Sequence, residues 1–290
     1  TDHMPKALVP VAGKPMLEHV IEKLKAAGFN EVVVNVHHFA GQIIDFLKEK
    51  DNFGITIHIS DESDCLLDTG GGIKKAASYF TDGEPFLVHN VDILSNVDLK
   101  ALYEHHLTSG NDATLLVSPR KTVRYLLFDT KSRLCGWVNK DTLQTKPEGF
   151  VYQPDEQKEY AFSGIHVISP ALFNYMGKEW EGKFSIMDFY LQTCQKAHLG
   201  GYAKEDLQLI DIGKPETLAK AEEFINNEEI EYLKRQKETQ RVPIKHEEDK
   251  VYTTAIIERI DSYTDSDGDT KSGRGNALYA IRIVRKGSLL

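Results

Sequence analysis

Cysteine is scarce in this sequence of 290 residues: Cys65, Cys135 and Cys194 are far apart and odd in number. They match no metal-ligand spacing and cannot all pair, so a disulfide scaffold is excluded and free thiols in a reducing cytoplasm are expected. Long apolar runs are missing too. None approaches the ~20 residues of a membrane-spanning helix, and no secretory leader is legible, so no membrane partner is expected. A basic excess is also lacking: 35 Lys and Arg stand against 44 Asp and Glu, a formal net charge of −9. Because a nucleic-acid backbone calls for a clustered basic face, a nucleic-acid partner is not expected. A small anionic ligand needs only a local group of cations and N–H donors, and stays open. The chain opens Thr-Asp-His without an initiator Met, which suggests a piece of a longer protein.

What is present is the pattern of a large α/β domain. Met16, Leu17, Val20, Ile21 and Leu24 recur at helical spacing, with Gly28 placed to end the helix. Glu31–Val36 reads as a buried strand, Ile43, Ile44 and Leu47 as a second helix face, and Ile55–Ile59 as a strand. A short helix follows Gly72, then the strand Phe86–Val88, a helix capped by Asp98, and the strand Ala113–Val117. Strands alternating with helices of this length indicate a doubly wound, mostly parallel sheet.

After Pro119 shorter strand-like pieces, Tyr125–Phe128 and Leu134–Val138, suggest antiparallel additions. Ser163–Ile168 is again strand, and helices are expected at Pro170–Met176 and Ile186–Ala197. A late strand at Leu207–Ile212 and a charged helix from Pro215 to about Lys237 close a domain over residues 1–238. Residues 239–290 read as a C-terminal extension. Its apolar runs Thr254–Ser262 and Ala277–Arg285 are joined by a polar turn at Asp265–Gly273, as in a β-hairpin.

Four blocks carry chemistry. In Pro5-Lys-Ala-Leu-Val-Pro-Val-Ala-Gly-Lys-Pro-Met-Leu-Glu-His19, prolines stiffen a loop that holds Lys6 as a point charge for a phosphate. In Leu67-Asp-Thr-Gly-Gly-Gly-Ile73, three glycines open a helix, where backbone can approach a ligand and N–H groups can face it. Asn90-Val-Asp92 follows a buried strand, at the carboxyl end where doubly wound sheets bind ligands. Asp211-Ile-Gly-Lys-Pro-Glu216 likewise follows a strand and precedes a helix. Asp92 and Asp211 could also be two unrelated helix caps.

Together these blocks resemble the sugar-1-phosphate nucleotidyltransferase family, from Thr1 to about Phe224. The uridylyltransferases of N-acetylmuramate-1-phosphate and the guanylyltransferases of mannose-1-phosphate are its most similar branches. The resemblance implies a Rossmann-like nucleotidyltransferase fold. It also implies joining of a nucleoside triphosphate to a sugar-1-phosphate, with Mg²⁺ on Asp92 and Asp211 and Lys6 neutralising charge at the α-phosphate. The nucleotide would lie against Asp68, Thr69, Gly70, Gly71, Gly72 and Asn90, with Glu62 a further candidate. On the acceptor side, Ser163 and Gly164 resemble the sugar-site strand, and Lys146 in Thr145-Lys-Pro147 resembles a sugar-phosphate lysine without its usual glutamate. Val91 and Lys214 stand where the family has glycine and threonine.

The family's glycine-rich signature and first strand are absent from these residues. The implied consequence is a chain that folds but turns over poorly; the two apolar runs of the extension have the length and β-branched content to cover the vacant sheet position, although packing elsewhere is equally allowed. A binding protein without turnover, or a choline-phosphate cytidylyltransferase-like enzyme, is the alternative reading. Neither His37-His38 nor His105-His106 can make a metal pair, because neighbours on one element point apart. Asp265, Asp267 and Asp269 lack the glutamate that completes a calcium loop and read as a solvated turn.

Overall fold

The computed structural model describes residues 4–212, 217–239, 255–258, 262–264 and 270–272, with side chains through residue 228. The chain begins with a small hairpin, β1 (Pro10–Val11) and β2 (Lys14–Pro15), and enters α1 (Met16–Ala26). Leu17, Val20, Ile21 and Leu24 form the buried stripe of α1. Gly28 adopts φ 95°, so the N–H of Phe29 reaches back to the Leu24 carbonyl at 3.0 Å and closes the helix.

There follow β3 (Glu31–Val36), α2 (Ala40–Glu49), β4 (Thr56–Asp61), α3 (Asp68–Lys75), β5 (Phe86–Asn90), the short β6 (Ile93–Ser95), α4 (Leu99–Ser109) and β7 (Ala113–Ser118). Asp98 caps α4 as expected, accepting the Ala101 N–H at 3.0 Å. Next come β8 (Arg124–Phe128), β9 (Leu134–Asn139), β10 (Thr145–Lys146), β11 (Lys158–Ile168), α5 (Ile186–Thr193), β12 (Leu199–Ala203), β13 (Leu209–Asp211) and α6 (Leu218–Thr239).

Strands β4, β3, β5, β7 and β12 run in one direction, and β11 runs against them between β5 and β7. Their carboxyl ends therefore share one edge of the sheet. Beyond β11, the meander β8–β9–β10 continues antiparallel. The sheet is covered on both faces because its strands alternate. Val32, Val34, Val36 and Leu87 pack with α1, α2 and α4, whereas Val33, Phe86, Val88 and Leu115 pack with α3 and α5. A third apolar cluster joins Val11, Met16, Leu94, Ile212, Ala221 and Phe224. It clamps the β1–β2 hairpin to β6, to the end of β13 and to α6.

A parallel strand β14 (Ala255–Glu258) lies between β3 and β5, with Ile256 opposite both Val33 and Val88 and Glu258 opposite Asn90. This central position is one place the sequence allowed for the first apolar run of the extension. The antiparallel pair described in the extension, β15 (Ser262–Thr264) and β16 (Thr270–Ser272), is not the hairpin the sequence suggested, since it closes around the polar turn itself while β14 joins the central sheet. The second run, Ala277–Arg285, lies outside the described residues.

Three local expectations change. Pro170–Tyr175 is 3-10 rather than α-helical. Strand β11 starts at Lys158, five residues before the apolar run, because Lys158–Tyr160 pair with β8. Strand β12 was not foreseen: its Gly200 and Gly201 weaken the strand pattern, yet both permit close packing. A Cβ on Gly201 would stand 2.8 Å from the Phe128 ring, and one on Gly200 2.1 Å from Asn111.

Candidate active site

The two predicted carboxylates are brought together by an antiparallel pair. Asp211 ends β13 opposite Ile93, the residue after Asp92, and the Ile212 N–H donates to the Asp92 carbonyl at 3.0 Å. Asp92 is 9% exposed, and burial, followed by repulsion from Asp211, pushes its carboxyl up to about 7. Asp211 is exposed on the same edge. Two like charges at one buried edge are unfavourable unless a cation or proton is shared. The donor set of hard oxygens fits a Mg²⁺ ion that keeps waters and takes phosphate oxygens. Among the described residues, no group of three or more His, Cys, Asp or Glu could hold a metal alone.

The block that carries Lys6 is packed beside this edge. Pro5 is buried and Lys6 half-buried at the start of a 3-10 turn, Lys6–Leu8, leading into the β1–β2 hairpin. That hairpin packs on Leu94 and Ile212, which adjoin β6 and Asp211. Three sequence blocks far apart in the chain are thus held by one apolar cluster. Residues 213–216, which include Lys214, lie outside the described residues.

Asn90, at the end of β5, faces Gly164 on β11. Gly164 has φ 76°, and a Cβ there would stand 2.6 Å from the Asn90 amide nitrogen. Glycine is required on both counts. Ser163 lies beside it in a break of register, buried, with its hydroxyl donating to the Leu116 carbonyl at 2.7 Å. Its side chain therefore spans the bulge between strands.

The glycine block is built differently from the sequence expectation. The N–H groups of Gly70 and Gly71 do not face open space. Both donate to the Phe184 carbonyl, at 2.9 and 3.3 Å. A Cβ on Gly70 would meet the Phe184 ring at 2.2 Å, and one on Gly71 the Gly182 carbonyl oxygen at 2.3 Å. Gly72 is buried in the same turn of α3. Thr69 is buried, its hydroxyl accepting the Ile186 N–H at 2.8 Å, the first residue of α5. The block thus seats the 182–186 loop against α3. Asp68 holds a left-handed φ of 61°, a strained conformation for a non-glycine residue and one common at functional sites.

Glu62 is 1% exposed and both carboxylate oxygens are engaged, one by the Asn35 amide at 2.7 Å and one by the Leu67 N–H at 3.0 Å. Burial raises its pKa, and those donors oppose the rise. Glu62 therefore fixes the loop that presents Asp68.

A cavity of about 570 Å³ opens beside this edge, lined among others by Asp68, Arg120, Arg124, Trp137, Lys146 and Asp188. Lys146 is ion-paired with Asp188 at 2.8 Å and lies 5.7 Å above the Trp137 ring. Both partners are about half exposed, 42% and 48%, so the pair contributes less than about 1 kcal/mol to stability. Arg120, Arg124, Trp137 and Asp188 were not among the residues the sequence singled out. For Arg120 a signal existed: it lies two residues beyond the carboxyl end of the buried strand β7.

A doubly wound sheet with paired carboxylates at its carboxyl edge and a cation-lined cavity beside them is the frame of a nucleotidyl transferase. The chain belongs to that family, whose model, described as nucleotidyl transferase, matches residues 1–228. Within it, the chain sits among the sugar-1-phosphate nucleotidyltransferases. It is 29% identical over 227 residues to the N-acetylmuramate alpha-1-phosphate uridylyltransferase of Caulobacter vibrioides, covering 77% of this chain and 88% of that protein. It is 35% identical over 146 residues to mannose-1-phosphate guanylyltransferase 1 of Arabidopsis thaliana, covering 48% of this chain and 40% of that one. Among solved structures, HddC from Yersinia pseudotuberculosis superposes with a TM-score of 0.60 at 25% identity, covering 77% of this chain and 90% of that one. No helix among the described residues is long and apolar enough to cross a membrane.

Proposed function

We propose that the protein transfers a nucleotidyl group from a nucleoside triphosphate to a sugar-1-phosphate, forming an NDP-sugar and pyrophosphate. The observation that carries this reading is the convergence of Asp92 and Asp211 on one strand pair at the edge that also opens the cation-lined cavity. Mg²⁺ bound there would neutralise phosphate charge and hold the α-phosphate in line for attack. Asp92 and Asp211 would be its protein ligands.

The chain's own residues then position and compensate charge. Lys6, held by the proline-stiffened loop, offsets negative charge growing at the α-phosphate. Asn90, pressed against Gly164, orients the bound nucleotide or sugar at the end of β5. Asp68, fixed by Glu62 and the glycine block, fronts the acceptor cavity. Attack by the sugar phosphate oxygen on the α-phosphate expels pyrophosphate directly. Positioning and electrostatics supply the rate, as in phosphoryl transfer generally.

The relatives that act on N-acetylmuramate-1-phosphate and mannose-1-phosphate make UTP and GTP the first nucleotides to assay. The test is pyrophosphate release with each of these and a panel of sugar-1-phosphates, in Mg²⁺ and in EDTA. Release that needs both substrates and stops in EDTA supports the reading. Nucleotide binding that is unchanged by Mg²⁺, with no release for any sugar phosphate, contradicts it.

A further inference from the structure

We infer that Arg120 is the principal anchor for the acceptor's phosphate, and that Lys146 has a secondary part. The inference rests on the cavity's being the acceptor side of the proposed reaction. Three cations line it, Arg120, Arg124 and Lys146, together with two carboxylates, Asp68 and Asp188. The cations are not equivalent. Lys146 is engaged by Asp188 at 2.8 Å and stacked over Trp137, at the wall formed by β9, β10 and α5.

Arg120 occupies the opposite situation. It follows β7, whose carboxyl end shares the sheet edge with that of β5, because both run against β11. Its Nη2 donates to the Phe162 carbonyl at 3.1 Å, which orients the guanidinium while the side chain remains accessible at the cavity. Asp211 is the chief charge stabilising its protonated form against the packing around it. Arg120 is thereby tied electrostatically to Asp211 of the carboxylate pair.

Geometry and chemistry then select the ligand. A nucleophilic phosphate has to lie near the Asp92–Asp211 edge, where the α-phosphate is held, and a guanidinium fork matches two phosphate oxygens. A phosphomonoester dianion on Arg120 would direct its sugar ring back along the cavity toward Trp137, whose ring offers an apolar face. Arginine bound to one charged oxygen pair and one carbonyl also fixes the phosphate's orientation, which a lysine point charge does not.

The experiment measures binding without turnover. Titration calorimetry would follow inorganic phosphate and α-D-mannose-1-phosphate against the wild type, Arg120→Met, Arg120→Lys and Lys146→Met. The expected result is an affinity loss of roughly 10–100-fold for both probes in Arg120→Met, the size of a lost charged hydrogen-bond partner. Arg120→Lys should recover only part of it, and Lys146→Met should cost less than Arg120→Met. Affinity for the Mg²⁺–nucleoside triphosphate should stay within about threefold of wild type in all variants, because Arg120 is assigned to the acceptor phosphate.

Arg120→Lys keeps the charge and serves as the folded control if Arg120→Met fails to fold. Wild-type probe affinity in Arg120→Lys would overturn the bidentate anchor. So would a larger loss in Lys146→Met, or a nucleotide affinity that falls in step with the phosphate affinity. Phosphate binding lost in Arg120→Met while no nucleotide binds would sink the proposed reaction and leave this anchor standing.

Discussion

The carboxylate edge and the acceptor cavity are neighbours built on opposite principles. At the edge, two anions, Asp92 and Asp211, are forced together, one of them buried, and the arrangement calls for a cation. In the cavity, cations outnumber carboxylates and the groups are half exposed, so the arrangement calls for an anion. Arg120 senses both. The difference shows how such a fold can hold an electrophile and a nucleophile of like charge within reach. In the proposed reaction each would be neutralised by its own set of residues, at or beside strands that end at a common edge.

The comparison can be broken first at its foundation. Deleting residues 240–290 removes β14 and strips both β3 and β5 of their central partner next to Asn90. Unpaired backbone at a buried position is costly, so the truncated chain should lose cooperative thermal unfolding or associate. Circular dichroism melting with light scattering checks this, and a truncated monomer with an unchanged melting temperature would show that β14 is dispensable. Next in size, Asp92→Asn and Asp211→Asn should each lower turnover by roughly two to three powers of ten, the scale of removing a transition-state charge partner. Both should melt at or above the wild type without metal, because repulsion at the edge is relieved.

Smaller effects separate the cavity from its supports. Gly71→Ala should destabilise by about 1–3 kcal/mol, because its Cβ meets the backbone oxygen of Gly182. A denaturant titration reports this, and a change below about 0.5 kcal/mol, typical of an uninvolved surface site, would show that the 182–186 loop yields freely. Smallest of all, Asp188→Asn should alter stability by less than about 1 kcal/mol, since the Lys146 pair is half exposed. It should still tighten acceptor binding by releasing Lys146. Weaker acceptor binding in this variant would mean that Asp188 itself contacts the sugar.

The two regions also differed in how far the sequence revealed them. The carboxylate edge was legible because each aspartate follows a short apolar run, and strand-end carboxylates have a reason to be there. Asn90 and Gly164 were named separately, but only the antiparallel insertion of β11 brings them into contact. The cavity was mostly hidden. Its walls come from β8, β9, β10, β11, α3, α5 and the loop after β7, and no window of sequence spans them. Lys146 was found only through resemblance, whereas Arg120 fell just past the point where the strand–helix alternation stops.

The glycine run was noticed for a sound reason, and its close contact is with the 182–186 loop. A glycine signals close approach without saying by what. Strand β12 was missed because Gly200 and Gly201 dilute its β propensity, while packing against Asn111 and Phe128 favours them.

In the proposed reaction the edge holds the metal and nucleotide while the cavity holds the acceptor. The most direct test of this division is Mn²⁺ titration by electron paramagnetic resonance with a non-hydrolysable nucleoside triphosphate present. Mn²⁺ should bind tightly to the wild type and to Lys146→Met, and binding should be lost in Asp211→Asn. Mn²⁺ bound equally well by Asp211→Asn, or released by Lys146→Met, would contradict the division.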